Sequence, residues 1–486
     1  MNHETLENIN LKAKHGFFAL VSRSAVIYCF KAVSILLLSR WLAPSDYAIF
    51  AVLQGLVWSV NLFLPDLSLS IPLTQQKENP SKVQMRSLYG LVTYRGLLLF
   101  FIFVLFGSYI INHYKYDDQY YSYLLILSFV LFIESIKIPP QMMLDRNLEF
   151  SKVMKIELTE SLAMYIVQIT CAFKGFGAWS FAYALLTRSI VGLVLSFYYC
   201  PYFFLPKLYK NEIKKLFNFA FLSELKKMIV AAKTMIVPLL LANFLTPNVL
   251  GVYVWSIGIV SIPSALTDSF DRVFFPAFSK MQDNSDFFKQ SFAKNINSFL
   301  VFLGLMYVLI ICCSSSGVKS FFPDKWDFAI EIIPLAALGT FLSKVRYLFG
   351  TLMNSRAMPG ILLKVESLAL FLEVVLAIPV LYFYDLIFYL YLIIMIESII
   401  CVTTYFLNSD FIHLSVVRRF FSILCAHIFL YSLFKTYIFT LNINSWLLLI
   451  LSFLLSSFLY IVILFIIDRN SIQEFKIVFS TLARKI

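Results

Sequence analysis

Charge is scarce in this sequence. Of its 486 residues only 14% are Asp, Glu, Lys or Arg, against about 25% in soluble globular domains, so water is not its main solvent. Histidine is scarcer, with five scattered residues, and His113 and His413 fall in expected loops. The seven cysteines, Cys29, Cys171, Cys200, Cys312, Cys313, Cys401 and Cys425, lie within or at the ends of apolar stretches, with no C-x-x-C pair and no histidine at ligand spacing. They read as small apolar packing residues, and no metal site is expected. There is no G-x-x-x-x-G-K-[ST] and no G-x-G-x-x-G. The chain is therefore not expected to hydrolyse ATP or to hold a dinucleotide; no cofactor and no catalytic residue are expected. Met1 to Lys14 are polar, and the apolar stretch that follows runs past Arg23 and Lys31 without a small-residue cleavage site, so no cleaved signal peptide is expected.

What fills the sequence is hydrocarbon: 60% of residues are hydrophobic and the mean hydropathy is +0.80. The apolar residues form long runs, such as Leu97 to Ile111, Leu300 to Cys313 and Leu447 to Ile467, near the roughly 20 residues that cross a bilayer. Only helices and closed barrels satisfy the backbone in lipid, and continuous runs without ten-residue alternation select helices. Read against Pro, Gly, Asn and charge punctuation, the spans fall near 17–40, 47–72, 87–111, 120–144, 153–173, 177–200, 218–243, 250–275, 296–316, 328–353, 361–382, 386–407, 416–437 and 445–467. The expected fold is an all-α polytopic membrane protein of about fourteen transmembrane helices. Packing and interfacial belts account for the 51 Phe and 27 Tyr.

With the amino terminus placed in the cytoplasm, 24 Lys and Arg lie in cytoplasmic tails and loops, Arg418 and Arg419 among them, and five in the opposite loops. That imbalance predicts both termini inside. It also explains the net charge of +12 as topology and attraction to anionic headgroups, with no role for nucleic acid. Leu42-Ala43-Pro44-Ser45-Asp46-Tyr47-Ala48 and Leu245-Thr246-Pro247-Asn248-Val249-Leu250-Gly251 look alike, as do the surroundings of Arg146 and Arg356. The repeat predicts two parallel six-helix lobes, 1–200 and 218–410, joined by an amphipathic cytoplasmic linker, 201–217, with a terminal helix pair and tail in 411–486. Lobes repeated about an axis along the membrane normal are a transporter architecture.

Ionisable residues inside apolar spans cost about 2.5–3.5 kcal/mol each at a helix centre, so each should meet a partner or a wet cavity. Glu134 with Lys137, and Asp268 with Arg272, are spaced to pair on one helical face. Arg23, Lys31, Arg95, Arg188 and Lys233 have no obvious acid on their own helix. They are the candidate lining of a cationic cavity suited to pyrophosphate or acidic sugars, unless each snorkels or pairs with an acid on a neighbouring helix. Asp66 and Glu157, and in the repeat Asp268 and Glu366, are candidates for ion coupling or for pairing with the basic set.

The segments Arg40 to Tyr47, Asp66 to Leu69 followed by Gln76-Lys77-Glu78, Arg146 to Phe150, Gly175 to Ser180, Leu250 to Tyr253 and Phe275 to Asp283 resemble, in order and spacing, the polysaccharide transporters related to the Wzx O-antigen flippases and the colanic acid exporter. The chain departs from that pattern at Ala48 and Ser68, where the family usually has glycine. The resemblance implies a fourteen-helix inner-membrane exporter that flips undecaprenyl-pyrophosphate-linked glycans from the cytoplasmic to the periplasmic leaflet. Membrane lipid, the lipid-linked oligosaccharide and the polysaccharide polymerase or assembly machinery are then the expected partners. Arg23, Lys31, Arg95 and Lys233 would hold the pyrophosphate or acidic sugars. Rival readings are a cation-coupled multidrug exporter of the same superfamily, the flippase of the peptidoglycan precursor, a membrane glycan polymerase or ligase, and a non-transporting scaffold. Basic residues within the spans, the quoted segments, the short non-cytoplasmic loops and the internal repeat weigh against these in turn.

Overall fold

Within hydrocarbon a backbone amide has no water to bond, so each span closes its N–H groups onto its own carbonyls. The computed structural model describes residues 27–63, 78–212, 235–271, 285–355, 358–409, 412–438 and 444–467, less Lys115, Leu148, Ala265 and Ser269, together with isolated residues between those stretches. Among the described residues every regular element is helical, and nine helices are long and apolar enough to cross a membrane. After a helical stretch over 27–41 come α1 (Pro44–Phe63), α2 (Lys82–His113), α3 (Gln119–Arg146), α4 (Phe150–Phe173), α5 (Trp179–Tyr199) and α6 (Pro247–Val260). They are followed by α7 (Ser285–Phe321), α8 (Ala329–Ser355), α9 (Pro359–Phe383), α10 (Leu386–Phe406), α11 (Leu414–Leu433) and α12 (Ser445–Ile467). The chain divides into two compact units, residues 30–251 and residues 1–29 with 252–486.

In the unit of residues 30–251, Leu53 and Val57 of α1, Leu99 and Phe103 of α2, Tyr123, Leu124 and Leu127 of α3, and Ala182 of α5 form one buried apolar cluster. Its helix ends are closed by side chains from distant segments. Asp46, in the first turn of α1, accepts from the Ala43 amide at 2.8 Å and from the Ala178 amide, at the start of α5, at 3.0 Å. One carboxylate thus satisfies amides at two helix starts, where the helix dipole also favours negative charge. Gly177 takes φ +53° beside it, and a Cβ there would lie 3.0 Å from the same Asp46 oxygen. Arg146, at the end of α3, donates to the carbonyls of Leu73 and Glu78, each at 2.7 Å. Ser81 and Gln84 form a reciprocal capping box on α2. Residues 201–209 have no regular structure and lie along the start of α2, Tyr89 donating to the Tyr202 carbonyl and the Lys207 amide to that of Arg86. The adjacent Cys200 is 3% exposed and packs against this segment.

In the other unit, Val365 and Ala369 of α9 pack on Leu392, Ile396 and Ile400 of α10. The buried Tyr460 hydroxyl of α12 donates to the Val301 carbonyl of α7 at 3.0 Å. Two expectations change here. The single span expected over 250–275 is interrupted: α6 stops at Val260 and a turn covers 261–263, where Pro263 lacks an amide to carry the ladder forward. Arg418 and Arg419, counted with the loop cations, lie within α11, and Arg419 is 1% exposed, because the helix begins before them and the unit closes around the guanidinium.

Replacing Asp46 by Ala removes an acceptor shared by two helix starts and is expected to lower stability by about 1–2 kcal/mol, read as a lower thermal midpoint of the purified protein in detergent. An unchanged midpoint would show that neither cap matters.

Candidate functional site

Charged residues near the middle of apolar helices must be organised by their neighbours, and in the unit of residues 30–251 they are organised into a network. Lys137 of α3, 5% exposed, lies 2.8 Å from Glu134 on the same helix and 3.1 Å from Glu160 of α4. The i, i+3 pair expected from the spacing of Glu134 and Lys137 therefore forms, with a second carboxylate added. Glu134 also accepts from the Ser189 hydroxyl of α5 at 2.7 Å, and the other Glu160 oxygen faces Arg188 of α5 at 3.4 Å. Space for the Lys137 pair with Glu160 is made by Gly192 of α5. A Cβ at that position would sit 2.2 Å from the Glu160 carboxylate and 3.0 Å from the Lys137 ammonium.

The network forms one wall of a cavity of about 360 Å³ lined by residues of α1, α2, α3 and α5, its polar groups being Trp58, Asn61, Arg95, Glu134, Ser135, Gln141, Arg188 and Ser189. Arg95 of α2 donates to the side chains of Asn61 and, at 3.4 Å, Ser135. Arg188 differs from it: among the described residues its Nε is buried without a hydrogen-bond partner, and its Nη2 makes the 3.4 Å contact to Glu160. An amide-, hydroxyl- and guanidinium-rich chamber amid apolar helices can take up a hydrated or charged group that hydrocarbon excludes. Among the described residues no three His, Cys, Asp or Glu side chains come together as a metal would require.

Of the cations singled out in the sequence, Arg95 and Arg188 line this cavity; Lys31 lies half-buried on the 27–41 helix, away from its lining. Arg23 and Lys233 lie outside the described residues, as do Asp66 and Arg272. Glu157 is half-buried on α4, a turn before Glu160, and does not line the cavity. Asp268 and Glu366 belong to the other unit. There Glu366 pairs with Arg346, which also donates to Glu397 at 2.9 Å, and Asp268 is exposed and interacts electrostatically with Lys344. Asn61, Gln141, Ser189, Trp58 and Gly192 were not legible as site residues. Each is an ordinary membrane-helix residue until the helices are packed, and only a helical-face analysis of small and amide residues opposite the charges could have raised them.

The chain has relatives among known proteins. Residues 37–331 match the family model described as polysaccharide biosynthesis protein. An uncharacterized membrane protein in the cps region of Klebsiella pneumoniae is 27% identical over 386 residues, 75% of this chain and 74% of that protein. The lipopolysaccharide biosynthesis protein WzxC of Escherichia coli K12 is 27% identical over 238 residues, 47% of each chain. In fold, the chain is similar to the lipid II flippase MurJ in an inward closed conformation, with a TM-score of 0.72 and 15% identity over 94% of this chain and all of that one. With more than half of its length matched by that one family model, the chain is a multi-pass membrane protein that belongs to the polysaccharide biosynthesis protein family.

Proposed function

We propose that this protein is a flippase that carries undecaprenyl-pyrophosphate-linked oligosaccharide repeat units from the cytoplasmic to the periplasmic leaflet of a bacterial inner membrane, for O-antigen or exopolysaccharide assembly. The observation that carries the reading is the polar cavity holding Arg95 and Arg188 among membrane-spanning helices. A glycan and an ionised phosphate cannot enter hydrocarbon unaided, whereas a polyprenyl tail can stay in it. Family membership supports the same reading, as do a relative named for lipopolysaccharide biosynthesis and a fold shared with a lipid II flippase. The protein transports and does not catalyse. It works by alternating access of two repeated six-helix lobes, 1–200 and 218–410, in a fourteen-helix chain with linker 201–217, a terminal pair in 411–486 and both termini cytoplasmic. A polysaccharide polymerase receives the flipped unit.

The network around Lys137 is the scaffold of this cavity, because it joins α3, α4 and α5 by buried charge. Its geometry depends on Gly192, so Gly192→Ala is expected to cost about 1–3 kcal/mol by overpacking and to reduce export. Thermal unfolding and surface polymer are measured together, and a variant with wild-type stability would show that the pair relaxes freely.

Orientation is tested by fusions after Ile486: green fluorescent protein should fluoresce and alkaline phosphatase should be inactive, the opposite result placing that terminus outside. In cells lacking the protein, mass spectrometry should show one lipid-linked repeat unit accumulating while the surface polymer is lost. Unchanged lipid-linked pools with intact surface glycan would instead favour a multidrug exporter.

A further inference from the structure

Residues 201–209 have no helix of their own, yet their backbone is seated on α2. The Tyr89 hydroxyl donates to the Tyr202 carbonyl, and the Lys207 amide donates to the Arg86 carbonyl at 3.2 Å. Gly90 makes the room, since a Cβ there would lie 2.9 Å from the Lys207 carbonyl. Phe204 packs on Tyr89, within the apolar cluster that holds Met85, Leu88 and Met143. Its neighbours Phe203 and Leu205 are 62% and 70% exposed, and Lys207, Leu208 and Lys210 follow them on the surface.

Helix length sets the depth of this seat. α2 has 32 residues, about 48 Å at 1.5 Å per residue, against about 30 Å of hydrocarbon. With the excess shared between its ends, roughly its first six residues stand outside the core. Arg86 to Gly90 then lie where hydrocarbon gives way to headgroups, and the end of α3, the start of α4 and the end of α5 meet α2 there in the same cluster. Around the seat Lys82, Arg86, Lys155, Lys207 and Lys210 are exposed, and among the described residues none of them forms an ion pair. The acids of this end are Glu78, Asp145, Glu149 and Glu212, and Glu149 pairs with Lys152, so positive charge is in excess.

Apolar and aromatic side chains interleaved with lysine at headgroup level are the pattern of a segment that lies in a bilayer surface. The cations belong to α2, α4 and the segment itself, an arrangement that meets the phosphates of several neighbouring lipids and does not converge on one. We infer that residues 201–210 form an interfacial anchor that binds anionic phospholipid. Phe203, Leu205 and Leu208 enter the acyl boundary, while Lys207 and Lys210 hold phosphate groups such as those of phosphatidylglycerol. This surface lies outside the cavity, and its lipid binding stands whether or not the chain is a flippase.

The test uses the full-length protein. In nanodiscs, hydrogen exchange of residues 201–210 should slow about tenfold when phosphatidylglycerol is added to phosphatidylethanolamine, a comparison that needs no variant. In detergent, native mass spectrometry should show phosphatidylglycerol retained over phosphatidylethanolamine. Lys207→Gln combined with Lys210→Gln should weaken its binding roughly 10- to 30-fold, at about fivefold per lysine, with the thermal midpoint kept. Lys174→Gln, at the opposite end of α4, should change nothing. Equal exchange in the two nanodiscs, unchanged phosphatidylglycerol binding in the double variant, the same loss in Lys174→Gln, or protection of the segment by undecaprenyl phosphate but not by phosphatidylglycerol would each overturn the assignment.

Discussion

A charge in hydrocarbon must be met by another group of the protein, and the arrangement of the unit of residues 30–251 follows from that demand. Lys137 cannot stand alone in the middle of α3. Two carboxylates answer it, one from its own helix and one from α4, and those carboxylates in turn engage Ser189 and Arg188 of α5. Breaking such a buried pair by removing one partner costs about 3–5 kcal/mol, so the three helices are bound as a body. The same solution recurs in the other unit, where Arg346 lies between Glu366 and Glu397.

The helix ends are governed by a related rule, since unsatisfied amides and carbonyls there need acceptors and donors. Asp46 closes two helix starts at once, and Arg146 gathers the carbonyls of Leu73 and Glu78. These contacts join segments that stand far apart in sequence: Arg40 to Tyr47 with Gly175 to Ser180, and Glu78 with Arg146 to Phe150. They are among the segments by which the chain resembles polysaccharide transporters, and the order and spacing of these four acquire a physical reason, because each supplies half of a lock. Locks at the helix ends, with paired charge in the helix centres, hold the helices of this unit against one another.

The cavity is the place where this economy is incomplete. Lys137 is matched by two carboxylates, yet among the described residues the buried Nε of Arg188 meets no acceptor. In a membrane protein such a residue marks a route or a ligand site more often than a packing accident.

Long apolar runs, the near absence of charge and the lack of nucleotide motifs determined by themselves that this chain is helical and lies in a membrane, because lipid leaves the backbone no other means of satisfying its hydrogen bonds. The limits of most helices follow the sequence closely, α10 and α12 beginning where their apolar runs begin. Where the runs are interrupted it was less legible: Pro263 stops α6 inside an apolar stretch, and Arg419 is buried within a helix although it reads as a loop cation. The i, i+3 spacing announced Glu134 with Lys137, since both lie on one helix. Glu160, Ser189 and Gly192 could be joined to that pair only by tertiary packing, which brings α4 and α5 against α3. Only that packing separated the surroundings of the cations, for Lys137 and Arg188 are both membrane cations in sequence, and among the described residues Lys137 meets two carboxylates while Arg188, on the cavity wall, meets Glu160 at 3.4 Å.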